Sequence, residues 1–190
     1  RETMPTDTNY GSCQSRHAYS SNHFGFYYPS EVHGRQHRFS QQLDDFSREG
    51  NYYWHKQYMP IQLKERYPEY NKQDNTLCGV GYLMIFDSTY EILYTTKRDF
   101  YPKDERIVYN VEKEQFELDG YKIELTNTDY FEDISWTFSY SPAEKGFIAW
   151  HDWHPDWVIQ TDKHFLSVKD NAIWKHNERC DLFCNYYGNS

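Results

Sequence analysis

The stretch Ile134-Ser-Trp-Thr-Phe-Ser-Tyr-Ser-Pro-Ala-Glu-Lys-Gly-Phe-Ile-Ala-Trp-His-Asp-Trp-His-Pro155 constrains this chain more than any other. Ile134, Trp136, Phe138 and Tyr140 alternate with Ser135, Thr137 and Ser139, the period of an extended strand. Ser141-Pro142 ends the run, and Lys145-Gly146 fits a tight return. In the second arm Phe147 and Ala149 point one way while Ile148 and Trp150 point the other. That is the pattern of a strand covered on both faces. The expectation is a hairpin with a half-wet first arm and a buried second arm. Trp150 is then a core residue, and the flanking strands pack around the pair.

The remaining chain divides by its local signals. Residues 1–22 are polar, with Pro5 and Gly11, and read as loop or linker. Residues 23–40 form a hairpin of Phe24–Tyr28 and Arg35–Phe39 around the turn residues of 29–34. Residues 41–68 read as a short helical insert. Ser40 is a good N-cap, Leu43 and Phe46 share a face, and Gly50 fits the position after a helix over 41–49. Tyr52–Tyr58 continues helically, and Pro60 opens a segment that closes at Pro68. Met59, Leu63 and Tyr67 fall on one side of it. Insertions between sheets tend to project, so this insert is the expected subunit contact.

Residues 69–190 read as antiparallel β blades continuing beyond the segment. Tyr82–Phe86 pairs with Ile92–Thr96, and His164–Val168 pairs with Ala172–His176. Gln115–Leu118 and Tyr121–Leu125 flank Asp119-Gly120, a two-residue turn signal. The fold class is mainly β, built of antiparallel hairpins and β-propeller-like blades with a short helical insert. No internal sequence period is present.

Composition narrows the function. Tyr, Phe and Trp make up 19% of the 190 residues, so the core is expected to be aromatic. The formal charge of −9 argues against a nucleic-acid surface built from a general basic excess. No apolar run of about 20 residues is present, so no helical membrane span is expected. Arg1 is not an initiator, and the chain is expected to begin inside something longer or after a processing cut. The four cysteines, at 13, 78, 180 and 184, have no framework spacing.

Several chemistries can be weighed on named residues. His151, Asp152, His154 and Asp156 crowd as metal ligands would. The odd spacing of the two histidines puts them on opposite strand faces unless Trp153–Pro155 leaves the strand. The plain reading is a Trp/His-rich strand end. Cys180 and Cys184 with His164 and His176 would make a zinc set of unusual spacing, against buried free thiols. Asp129, Glu132, Asp133, Asp152 and Asp156 offer the carboxylates of a glycosidase, against solvated loops. Neither a nucleophile elbow nor a phosphate-binding loop occurs. Tyr10, Tyr27, Tyr28, Tyr52, Tyr53 and Trp54 could line a glycan- or receptor-binding platform, although aromatic residues on strands are core first. We assign no catalytic, cofactor-binding or metal residue, and the chain reads as not an enzyme.

A further pattern runs along the chain. Thr95-Thr-Lys-Arg-Asp99, Ser135-Trp-Thr-Phe-Ser-Tyr140, Trp150-His-Asp-Trp-His-Pro155, Ile173-Trp-Lys-His-Asn177 and Cys184-Asn-Tyr-Tyr-Gly188 follow in fixed order. Asn9-Tyr-Gly11, Phe24–Tyr28, Gly34-Arg35 and Gly79-Val-Gly81 stand upstream. This series resembles the large tail structural proteins of crAss-like short-tailed phages, of the muzzle or nozzle type. The resemblance implies a β-propeller-containing segment of a larger virion tail protein, present in the host cytoplasm during assembly. Its partners would be ring neighbours of its own kind, other tail proteins and the rest of its polypeptide, with genomic DNA in transient passage. Acidic clusters, Asp129 with Glu132 and Asp133, and Asp44-Asp45, are then candidates to line the exit channel, where they would repel the duplex. The alternatives are a carbohydrate- or receptor-binding module and, behind it, a cell-wall hydrolase.

Overall fold

The computed structural model describes residues 15–161, 164–176 and 187. The chain is mainly β, with antiparallel sheets and two short helices. It opens with four strands, β1 (Ser20–Asn22), β2 (Gly25–Ser30), β3 (Arg35–Phe39) and β4 (Leu43–Asp45), paired in that order. A 3₁₀ turn (Phe46–Glu49) leads to α1 (Tyr52–Tyr58) and α2 (Gln62–Arg66). Then come β5 (Gly81–Asp87), β6 (Ile92–Arg98) and β7 (Phe100–Pro102). These are followed by β8 (Val108–Asn110), β9 (Gln115–Leu118), β10 (Tyr121–Ile123) and β11 (Phe131–Asp133). The expected hairpin is β12 (Trp136–Ser141) with β13 (Gly146–His151). The last sheet is β14 (Trp157–Gln160), β15 (Phe165–Lys169) and β16 (Ala172–Lys175).

The central sheet has the order β13-β12-β6-β5, two hairpins laid side by side. Residues 99–135 make the excursion between them, forming the β10-β9-β8 sheet and the β11-β7 pair. Asp119 (φ 52°) and Gly120 (φ 82°) close the β9–β10 hairpin as the Asp-Gly signal requires.

Three expectations are corrected here. The arms of the central hairpin exchange roles. β12 lies between β6 and β13 and is buried from Trp136 to Tyr140. β13 forms the sheet edge, with Ile148 54% and Trp150 47% exposed. The serine and threonine positions of β12, which read as a wet face, are covered. Thr137 Oγ1 meets Thr96 Oγ1 at 2.9 Å, and Ser139 Oγ meets His151 Nε2 at 3.0 Å. A hydroxyl that finds a partner is buried at little cost, so alternation marks two chemistries here and not two environments.

The helix expected over 41–49 is instead β4 followed by the 3₁₀ turn. Leu43, Asp44 and Asp45 pair with Phe39, Arg38 and His37. The Asp44 carboxylate accepts from Arg38 at 3.2 Å, and Asp45 pairs with Arg48 at 3.1 Å and Arg35 at 3.5 Å. Leu43 and Phe46 are three apart for different reasons. Leu43 pairs in a strand, while Phe46 plugs the core between Tyr27 and Tyr140.

Nor does the helical insert project as expected. Met59, Ile61, Leu63 and Tyr67 are all buried in the main core, with Tyr82, Trp136 and Phe138. Met59, Leu63 and Tyr67 are thus buried together, but not as one helix face: Met59 caps the end of α1, Ile61 is extended, and Leu63 lies in α2 with Tyr67 at its C-cap. Gly34 sits at φ +59°, and a Cβ there would lie 2.5 Å from Lys56 Cα, so the β2–β3 turn closes directly onto α1.

The tie between helices and sheet is the buried pair Lys97–Asp99, 2.7 Å apart at the end of β6. Lys97 Nζ donates to the carbonyls of Tyr58 and Pro60, both at 2.9 Å. The Asp99 carboxylate accepts from the α2 amides of Gln62 (2.8 Å) and Leu63 (3.1 Å), and from Phe100 N at 2.9 Å. One side chain finishes the end of α1 and the other caps the start of α2. Burial pulls the Lys97 amine below its ordinary value, and Asp99 opposes that shift.

Asp99→Ala strands a buried ammonium and two helix amides, and its expected cost is about 3–5 kcal/mol in a urea titration. Adding Lys97→Met removes the stranded charge but leaves the Pro60 carbonyl and the two amides without these partners, and the Tyr58 carbonyl with only its Trp136 Nε1 bond. The double variant should therefore stay well below wild type. Full recovery would show that the pair acts only as an ion pair.

Candidate interaction groove

The face of the central sheet away from the helices carries a second small core of Ile85, Tyr94, Trp153 and Phe165. The β14–β16 sheet covers it. A groove of about 580 Å³ opens where this sheet meets the first one. It is lined by β1 (Ser20–Asn22), by Met84, Ile85 and Phe86 of β5, and by Val158 and Gln160 of β14. Each of these strands ends its own sheet, so three strand edges converge on one space. Its size falls within the range of ligand pockets.

Hydrogen-bond parity shows what the groove offers. Tyr82 N donates to Ser15 Oγ at 3.1 Å and Met84 N to the His17 carbonyl at 3.4 Å, so even-numbered residues of β5 face away from β6. Phe86 therefore directs its backbone groups toward the groove. Thr161 N donates to the His164 carbonyl at 3.1 Å, closing the β14–β15 turn. By alternation Val158 and Gln160 turn their N–H and C=O away from β15. Gln160 Oε1 accepts from Ser20 Oγ at 3.5 Å, which joins the two walls, and His23 pairs with Glu91 at 3.2 Å. A space bordered by strand edges is suited to an extended backbone.

None of the residues weighed from the sequence lies in this groove. His151 and His154 do come to one side, because β13 ends at His151. They bind Ser139 Oγ (3.0 Å) and Thr137 Oγ1 (3.2 Å) on β12, and their imidazoles are spent on hydroxyls. Asp152 is exposed, and Asp156 pairs with Arg98 and, at 3.6 Å, with Lys169. His176 Nε2 meets Ser167 Oγ at 2.7 Å, and its ring stacks on Phe165. Cys13, Cys180 and Cys184 lie outside the described residues, and Cys78 is an exposed free thiol. Among the described residues no group of three or more His, Cys, Asp or Glu is placed to hold a metal ion. Asp129, Glu132 and Asp133 are exposed, whereas Asp44 and Asp45 are half-buried in the first sheet's ion pairs.

Of the six aromatic residues weighed as a platform, the five described do not form one. Tyr27 is in the core, Tyr53 is exposed, and Trp54 packs on Trp150 (4.1 Å) and Trp136 (5.0 Å). Tyr10 lies outside the described residues. A different exposed row exists on the first sheet, where Tyr19 stacks on Phe26 at 5.6 Å and Phe26 pairs across strands with Phe39. The groove itself went unread because residues 17–22 look like polar loop. The β-branched pair in Trp157-Val-Ile159 was the available signal for β14.

Buried imidazoles set a pH limit. His55 Nδ1–H donates to the Asn51 carbonyl at 2.9 Å, and its ring packs between Phe138 and Phe147. Burial lowers its pKa to about 4, and burial likewise takes His176 to about 4. Each folded value lies below the ordinary value of 6.5, so the unfolded chain binds protons first. Stability should be full above pH 6.5 and fall progressively toward pH 4. Urea midpoints measured across that window check this, with His55→Leu expected to flatten the slope. A midpoint that stays level over the window would contradict it.

No family model matches this chain, and no curated protein matches it.

Proposed function

We propose that this chain is a structural segment of a phage tail, of the muzzle or nozzle type, that assembles with copies of itself around the DNA exit channel. The observation that carries the reading is the convergence of three strand edges on one groove. Soluble proteins blunt or cover their sheet edges, and edges gathered in one place suit addition of another chain. The motif series supports the setting, and several of its residues serve architecture. Lys97 and Asp99 join helices to sheet, Thr137 and Ser139 bind the histidines of 151 and 154, and Trp153 fills the second core. The up-and-down order β1-β2-β3-β4 is that of a propeller blade, and the segment would stack such sheets against those of its own longer polypeptide. The exposed carboxylates of Asp129, Glu132 and Asp133, where the 99–135 excursion returns to the central sheet, would face the passing duplex and repel it. Other tail proteins would meet the remaining surfaces, and no helix among the described residues is long and apolar enough to cross a membrane.

The exposed row of Tyr19, Phe26 and Phe39 favours a second reading, a glycan- or receptor-binding module, since flat aromatic faces suit sugar rings. Self-assembly separates the two. Sedimentation and negative-stain images of the purified chain over rising concentration should show closed oligomers. A chain that stays monomeric throughout while gaining hits on a glycan array that Phe26→Ala removes would replace the first reading with the second.

A further inference from the structure

The last sheet has two ends of different character. At one end β14 borders the groove, with the backbone groups of Val158 and Gln160 turned into it. At the other end stands β16, four residues long and exposed along its whole length. It carries Ile173 at 68% and Trp174 at 36% exposure. Asp170 and Asn171 both take positive φ and close the β15–β16 turn, and His176 N donates to the Phe165 carbonyl at 3.2 Å. Parity between these bonds turns the N–H and C=O of Ile173 away from β15. A strand at a sheet end with large apolar side chains exposed is a template for pairing with another chain.

We propose, on the reading of this chain as a self-assembling structural segment, that β16 of one copy adds to the β14 edge of the next. The incoming strand lies in the groove and extends the three-stranded sheet. The fit is chemical at each level. Strand β14 also spans four residues, so the lengths match. Ile173 offers backbone groups to those of Val158 and Gln160. Ile159, itself 40% exposed, lies opposite Ile173 in this pairing and gives it an apolar neighbour on the joined surface. The two contact surfaces differ, so the joint is head to tail. Such joints close into rings when the rotation permits and otherwise grow as filaments. The occupant of the groove is thus a second copy of this chain, recognised through main-chain pairing.

Proline provides the test, because it removes one N–H and is tolerated on a strand edge where that N–H faces outward. Val158→Pro damages the groove and keeps β16, while Ile173→Pro damages β16 and keeps the groove. In sedimentation of the whole chain, wild type should assemble and each variant alone should be monomeric. An equimolar mixture should give a one-to-one dimer and nothing longer, since only one competent joint remains. If a proline variant loses its urea transition, Ile159→Lys takes the place of Val158→Pro and Ile173→Lys that of Ile173→Pro, each setting a charge against an apolar partner across the joint. Dimers of Val158→Pro alone would show a symmetric β16 contact and overturn the proposal. Wild-type oligomers untouched by any of these changes would overturn it too, while leaving the structural reading intact. A wild-type chain that never associates would remove both.

Discussion

The buried Lys97–Asp99 pair is the joint on which the architecture depends. Both side chains leave the end of β6, and both spend their charge on helix ends instead of on solvent. Two helices of seven and five residues would not hold their shape alone, because one or two turns do not repay helix nucleation. Here their terminal carbonyls and amides are satisfied by the sheet they pack on. Tyr82 adds a hydroxyl bond to the Met59 carbonyl, and Trp136 Nε1 donates to Tyr58 O at 3.3 Å. The helical segment is therefore a lid over the main core, with Met59 and Leu63 as its plugs.

The opposite face of the same sheet solves a different problem. Thr96, Thr137 and Ser139 would be costly if buried bare. His151 and His154, arriving from the end of β13, bind two of these hydroxyls, while Thr96 and Thr137 bind each other. Burial lowers the pKa of both imidazoles, which favours the neutral form that accepts from a hydroxyl. Beyond this polar layer, Tyr94, Trp153 and Phe165 hold the β14–β16 sheet in place, and Arg98 secures it further through Asp156. The groove exists because that sheet is held against β5 while β14 keeps an edge of its own.

What was legible in the sequence was local. The hairpins at 82–96, 115–125 and 165–175 follow from period-two runs around Asp-Gly, Asp-Asn and similar turns, whose φ values are fixed within a few residues. The burial of Met59, Leu63 and Tyr67 was legible too, but the break at Pro60-Ile61 that divides them between two helices was not. Which arm of the central hairpin is interior was not, because that depends on what β6 brings from forty residues upstream. Lys97 and Asp99 look like an ordinary charged strand end, and only the position of α1 and α2 shows their role. Strands of three residues, such as β1, β4, β7 and β11, are too short to display a period and are defined by their partners. The groove was the least legible feature, since its walls come from three strands far apart in the chain.

The central claim is that the strand edges gathered in and around the last sheet are joining surfaces. Amide hydrogen exchange, compared between dilute and concentrated chain, tests it most directly. In dilute solution the amides of Phe86, Val158, Gln160 and Ile173, which face away from their own ladders, should exchange rapidly. On concentration, protection should rise at Val158, Gln160 and Ile173 together, with little change at Phe26, Phe39 and Trp150. Association that protects the exposed aromatic surfaces and leaves Val158, Gln160 and Ile173 in fast exchange would contradict the account.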